Sequence, residues 1–181
     1  MKEYLKKWLR FIGEDPEREG LKDTPQRMMD SWKELYGGYK EDPKDLFVVW
    51  EEGKDSSLVL LKNISFASTC EHHCMPFFGK AHIAYIPNGR VIGISKLARL
   101  LKIYTRRLQI QERIGEQVVG DLMKYLKPKG AACILEATHL CMKGRGVKIE
   151  NASMITSALG GCFLEDFACR QELMILINGG K

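Results

Sequence analysis

Two short stretches of this 181-residue chain concentrate side chains that bind metals and move protons. The first is Cys70-Glu71-His72-His73, where a thiol and an imidazole stand three positions apart, the short chelating separation that zinc sites use. The second is Cys133-Ile134-Leu135-Glu136-Ala137-Thr138-His139-Leu140-Cys141. Read as a strand, its period of two puts His139 and Cys141 on one face with Leu135 and Ala137. If Cys70, His73 and Cys141 hold zinc, a fourth position stays open, as in catalytic sites. Water there would ionise near pH 7 (roughly), with His72 and His139 beside it as proton carriers. Adding Cys74 as a fourth donor would instead close the site and make it structural. A plainer reading makes the cysteines small buried hydrophobes and the histidines satisfied polar groups, which two separate Cys/His clusters argue against. The remaining histidine, His82, and the thiols Cys133, Cys162 and Cys169 read as structural.

A second set of residues suits an anion. Ser95 reads as the N-cap of a helical pattern whose first turn carries Lys96 and Arg99, cations at the positive end of the helix dipole. A bound triphosphate would resolve that conflict, since free backbone N–H groups and both cations can face phosphate oxygens. The alternative is a solvated basic face, because Lys102, Arg106 and Arg107 continue the positive charge. Gln111-Glu112 opens the next helix, and a carboxylate beside an amide matches the N–H edge of a guanine, although most such pairs are surface decoration.

These residues need a scaffold, and the pattern predicts one of class α+β. A helix is expected over 4–12, then a second with Thr24 as N-cap and Pro25 at its first position, ending near Gly37-Gly38. Residues 1–57 therefore read as an N-terminal helical segment and 58–181 as the catalytic domain, within one compact unit. From Leu58 to Ser95 the chain turns β-like, and Pro87-Asn88-Gly89 predicts a hairpin between 80–86 and 90–94. Helical spacing returns at Leu97, Leu100, Leu101, Tyr104 and Leu108, and again from Ile110 to Leu126, with a break near Gln109. Strands are expected over 131–142, 153–159 and 172–177, with Gly160-Gly161 as the turn between the last two. Segregated runs of helices and strands exclude a doubly wound parallel sheet.

Composition narrows the function classes. Twenty-eight Lys plus Arg against 23 Asp plus Glu give a net charge of +5, compatible with an anionic substrate or a nucleic acid. The longest apolar runs fall far below the roughly 20 residues that cross a bilayer, so no membrane span is expected. The basic, mixed stretch over 1–11 reads as an amphipathic helix of a cytoplasmic protein, and the six cysteines of the whole chain suggest metal or catalytic use in that setting.

The chain closely resembles the GTP cyclohydrolase I family. The resemblance is carried by Ser68-Thr69-Cys70-Glu71-His72-His73, Ala84-Tyr85-Ile86-Pro87, Val91-Ile92-Gly93-Ile94-Ser95-Lys96-Leu97-Ala98-Arg99, Gln109-Ile110-Gln111-Glu112-Arg113 and the block from Glu136 to Val147. It covers nearly everything from about Asp15 onward, in the family's order. It implies a tunnelling fold, an antiparallel sheet backed by helices, assembled as a D5 homodecamer with active sites between subunits. It implies zinc on Cys70, His73 and Cys141, guanine held by Gln111 and Glu112, and phosphates or ribose held by Arg27, Ser95, Lys96, Arg99 and Arg145. The implied reaction opens the imidazole ring of GTP at C-8, with His139 and His72 moving protons, and releases formate and dihydroneopterin triphosphate for tetrahydrofolate and other pterin pathways. Cys74 stands where the family usually has an apolar residue, and Gly144 where a bulkier one often precedes the arginine. The rival class is a zinc-stabilised nucleic-acid-binding module with the basic 96–107 stretch on phosphates.

Overall fold

The computed structural model describes residues 1–53 and 57–179. Helices α1 (Lys2–Phe11) and α2 (Thr24–Leu35) come first, and Leu5 and Leu9 form the buried stripe of α1. The N-cap of α2 is Asp23, one residue earlier than expected, which places Pro25 at the second helical position. Residues 49–53, inside the segment expected to be helical, instead form strand β1 (Val49–Gly53).

The larger part of the chain is built on a five-stranded sheet. Its long strands are β2 (Val59–Cys70), β3 (Pro76–Ile86), β6 (Gly130–His139) and β7 (Met154–Gly161), antiparallel to their neighbours. The two-residue strand β5 (Leu108–Gln109) runs parallel to the end of β2 and completes the order β5-β2-β3-β6-β7. One face of the sheet presents odd-numbered residues, Phe77, Ala81, Ile83 and Tyr85 from β3 and Ala131, Cys133, Leu135 and Ala137 from β6, all nearly inaccessible to water. Helices α3 (Ile94–Thr105) and α4 (Gln111–Asp121) cover that face with Leu97, Leu101, Ile114 and Val118. Part of the even-numbered face, Ala84, Ile86, Ala132 and Ile134, packs against Phe163 and Leu173 from α6 (Cys162–Glu165) and α7 (Phe167–Ile177). The end of β3 and the start of β6 are therefore apolar on both sides, while Glu136 on the uncovered part of the even face is exposed.

Three expectations are corrected. The hairpin predicted across Pro87-Asn88-Gly89 does not form: strand β4 (Gly89–Ile92) pairs antiparallel with β1 in a separate two-stranded sheet. Both edges of β3 are already occupied by β2 and β6, and Gly89, at φ 76°, lets the chain leave that sheet. Residues 172–177, expected as a strand, lie in α7, whose N-cap Asp166 accepts a hydrogen bond from Ala168 N at 2.8 Å. The strand expected over 131–142 ends at His139, and Cys141 belongs to the short helix α5 (Leu140–Lys143). The break near Gln109 is present as β5, and α4 continues through a wider π turn over Leu122–Leu126 to Lys127, at φ 54° ahead of Pro128.

The N-terminal part is tied to α3 by arginines. Arg106 donates to Glu34 O at 2.6 Å and to Glu41 Oε1 at 2.7 Å, and Arg107 donates to Gly38 O at 2.8 Å. The Arg107 guanidinium also sits over the rings of Tyr39 and Tyr104, at 5.6 and 4.9 Å. Two of the cations that could have formed a nucleic-acid-binding face are thus committed inside the protein.

Candidate active site

The ends of β2 and β6, the start of β3 and the first turn of α4 meet at one end of the sheet. Chain reversal after β2 is tight: Cys74 N donates to Cys70 O at 2.9 Å and Cys70 N to Met75 O at 2.8 Å, with Cys74 in the left-handed region at φ 51°. That turn is docked on β5, where Glu71 N donates to Gln109 O at 3.0 Å. It is docked on α4 as well, where Arg113 donates to both carboxylate oxygens of Glu71 at 2.5 and 3.1 Å. Arg113 holds the Glu71 carboxyl below the usual carboxylate range.

Held in this way, Cys70, His73 and Cys141 converge, with one donor atom from each lying within 4.8 Å of the others. Cys70 Sγ is 3.9 Å from His73 Nδ1 and 4.0 Å from His72 Nδ1. His139 and Cys141 do not share a strand face, as the sequence pattern suggested, yet the first turn of α5 still brings Cys141 to the other two donors. Burial and the nearby Cys70 sulfur push the Cys141 thiol up, and a cation among these donors would reverse that preference toward thiolate. Two thiols and one imidazole are a donor set suited to zinc.

Cys74 does not join this cluster. It is exposed and lines a cavity of about 640 Å³ between α2, α3 and β2, together with Trp32, Phe66, Leu101 and Arg106. None of the three clustered donors lines that cavity, so the closed four-donor site raised from the sequence has no fourth donor in Cys74.

His139 stands beside the cluster at the end of β6. Its ring stacks on Phe77, with centroids 4.5 Å apart and planes 5° from parallel. Its Nε2 lies 2.9 Å from Gln111 Oε1. Burial lowers the His139 pKa below the ordinary histidine value, and the Glu112 carboxylate partly opposes this. The sequence reading put Gln111 next to Glu112 at a guanine edge. The structure places the Gln111 side chain inside, at 0% exposure, with its amide nitrogen on Leu135 O, Met154 O and Thr156 Oγ1. Glu112, the next residue, is exposed on the first turn of α4.

The remaining candidates are more widely placed. Arg145 is exposed, with Nη1 3.4 Å from His73 Nε2. Arg27 is exposed on α2 and forms a 3.5 Å ion pair with Asp23. Ser95 lies within the first turn of α3 and not at its cap, which is Gly93; Lys96 and Arg99 share that end of the helix. Among the described residues no contact joins Arg27, Ser95, Lys96 or Arg99 to the Cys-His-Cys cluster. The far end of α3, not this one, leads into β5 and the cluster, and Ser95 lies about 15 Å along the helix axis from that far end. His82, half-buried on β3, accepts from Asn63 N at its Nδ1 at 3.4 Å, and burial lowers its pKa.

The sequence profile described as GTP cyclohydrolase I matches residues 1–178 of this chain. The chain belongs to the GTP cyclohydrolase I family. Its relatives include a GTP cyclohydrolase 1 of Wolinella succinogenes, 50% identical over 175 residues that cover 96% of this chain and 94% of that protein. A GTP cyclohydrolase 1 of Campylobacter curvus is 46% identical over 175 residues, covering 96% and 92%. The crystal structure of an archaeosine synthase QueF-Like protein in its apo form overlaps 60% of this chain and 97% of its own, with a TM-score of 0.49 at 18% identity. The helix-backed antiparallel sheet described above is the tunnelling fold of the GTP cyclohydrolase I family. Sequence reasoning missed two residues that organise the site. Phe77 read only as part of a strand, and Arg113 only as one residue of the family block. Their signal is spatial, an apolar strand residue facing the end of β6 and a cation one residue after Glu112 facing Glu71.

Proposed function

We propose that this chain is a zinc-dependent GTP cyclohydrolase I that converts GTP and water to formate and 7,8-dihydroneopterin triphosphate. The observation that carries the reading is the convergence of Cys70, His73 and Cys141 beside a buried, ring-stacked His139 in a member of this family. Zinc held by those three residues supplies a Lewis acid that lowers the pKa of water to about 7. The exposed Glu112 carboxylate accepts from the N–H edge of guanine, a match that adenine lacks. His139 and His72 hold and move protons while water adds at C-8, the imidazole ring opens and formate leaves. Arg145, whose Nη1 lies 3.4 Å from His73 Nε2, is assigned to a phosphate or ribose oxygen, and the family resemblance alone assigns Arg27 on α2 to the same role.

The placement of α3 supports an assembly. Ser95, Lys96 and Arg99 suit phosphate yet lie roughly 9–15 Å along α3 from the end that leads to the cluster of their own chain, so we assign them to the site of a neighbouring copy. Active sites then lie between subunits, as in the D5 decamer that the family resemblance implies. The catalytic unit is residues 58–181, with 1–57 leading into it. Reduced thiols at the metal site favour the cytoplasm, and no helix among the described residues is long and apolar enough to cross a membrane.

The test is incubation of the purified protein with GTP, with and without a chelator, while formate and pterin absorbance are followed. Formate and pterin appearing in a chelator-sensitive reaction support the proposal. Bound zinc with no turnover of GTP refutes it and turns attention to nucleic-acid binding that weakens steeply with salt.

A further inference from the structure

A buried amide has two donor hydrogens and one acceptor oxygen to satisfy, and the surroundings of Gln111 determine which end faces which partner. Gln111 has no exposed surface. One end of its amide lies 3.0 Å from Leu135 O, 3.0 Å from Met154 O and 3.1 Å from Thr156 Oγ1. Backbone carbonyls only accept, so that end is the nitrogen. Turning the amide over would press its oxygen against two carbonyl oxygens inside the protein. The opposite end is therefore the oxygen, and it lies 2.9 Å from His139 Nε2. An amide oxygen only accepts, so Nε2 carries the imidazole proton.

We infer that Gln111 is a positioning residue that holds His139 as the Nε2–H tautomer, leaving Nδ1 as the ring atom that exchanges a proton with substrate or water. The inference rests on the reading of His139 as a proton carrier. Phe77 fixes the plane of the ring and Gln111 fixes its edge, so both the rotation and the tautomer of the imidazole are specified before substrate arrives. The arrangement also spans the fold. Gln111 opens α4, its acceptors lie on β6 and β7, and β5 just before it pairs with the end of β2 that carries Cys70. The proton carrier and the Cys-His-Cys cluster are thereby referenced to the same sheet. Its inward amide separates the work of two adjacent residues: Glu112 addresses the ligand and Gln111 addresses the histidine.

The experiment is nitrogen NMR on the whole protein labelled with ¹⁵N-histidine, at about pH 8 where imidazoles are neutral. The four histidines give few signals, and His139 is identified by its loss in His139→Asn. The expected wild-type result is a proton on Nε2. Gln111→Leu, which removes the acceptor oxygen, should shift His139 toward the other tautomer. With GTP, Gln111→Leu should lower kcat about 10- to 100-fold and change KM less than about threefold. A proton on Nδ1 in the wild type overturns the inference whatever the variants do. So does an unchanged tautomer in Gln111→Leu, or a raised KM with unchanged kcat, which would return Gln111 to the guanine edge. The NMR readout needs no turnover, so a protein that proved inactive on GTP would refute the proposed activity while leaving the tautomer assignment to be read on its own.

Discussion

Phe77→Ala tests the core and the active site together. The side chain is 0% exposed, meets Phe66 edge-on at 6.2 Å and 80°, and stacks on His139 at 4.5 Å. Truncating a fully buried phenylalanine costs about 3–5 kcal/mol through lost transfer energy and the cavity left behind. Of that, each ring pair accounts for roughly 0.5–1.5 kcal/mol beyond the area buried. For a chain of this length about 2–4 °C of melting temperature goes with each kcal/mol, so the expected fall is roughly 6–20 °C. Thermal unfolding should be followed at fixed protein and zinc concentrations, because assembly and metal binding both shift the midpoint. Phe77→Leu keeps most of the volume and should cost less, while still removing the ring under His139. A double-mutant cycle of Phe77→Leu with His139→Gln should return a coupling of about 0.5–1.5 kcal/mol. A Phe77→Ala midpoint within about 2 °C of the parent, or a coupling indistinguishable from zero, would refute the stacked arrangement.

Three further outcomes are expected. Cys141→Ala should lose zinc and GTP turnover while keeping the circular dichroism of the parent, since the thiol sits on a short helix beyond the sheet; full activity without bound metal would remove zinc from the mechanism. Glu112→Gln should leave zinc content unchanged and lower kcat/KM for GTP by about 1.5–3 kcal/mol, or about 10- to 150-fold, through loss of a charged acceptor; unaltered constants would take Glu112 out of the site. Arg113 holds the native pKa of Glu71 below its ordinary value of 4.5, so the stabilisation from their pairing is complete above that value and is lost as pH falls through the lowered one. The midpoint difference between the parent and Arg113→Met should accordingly be flat from about pH 8 to pH 5 and shrink only in stronger acid. Shrinkage around neutral pH would mean that another group is the partner.

Much of the site was legible because its residues are chemically distinctive. Cys70 and His73 are rare residue types at a chelating separation, and the structure brings Cys141 to them even though it sits on a helix and not on the predicted strand. Gln111 was less legible for the opposite reason: an amide suits a guanine edge and a buried histidine equally well, and it is the register of β6 and β7 that turns this one toward His139. The fold errors follow the same division. A five-residue apolar run, Leu173 to Ile177, has no period to separate strand from helix, and the deciding signal was the Asp166 cap several residues upstream. Turn chemistry at Pro87-Asn88-Gly89 reported a real change of direction, but local residues carry no information about which edges of β3 are already taken.

Strand β5 is only two residues long, yet it determines where the sequence can tolerate insertions. Its pairing with Thr69 and Cys70 pins Leu108 and Gln109, and α4 starts two residues after Gln109. Each residue added between Gln109 and Gln111 would turn α4 by about 100° about its own axis. One such insertion would carry Gln111 away from His139, Glu112 off its face and Arg113 away from Glu71 in a single step. The turn from α1 to α2 bears no such constraint, since neither the Cys-His-Cys cluster nor His139 is indexed to it. Length variation among descendants of this chain should therefore accumulate before residue 24 and be absent from 106 to 113, where the register of a helix is set by two residues of strand.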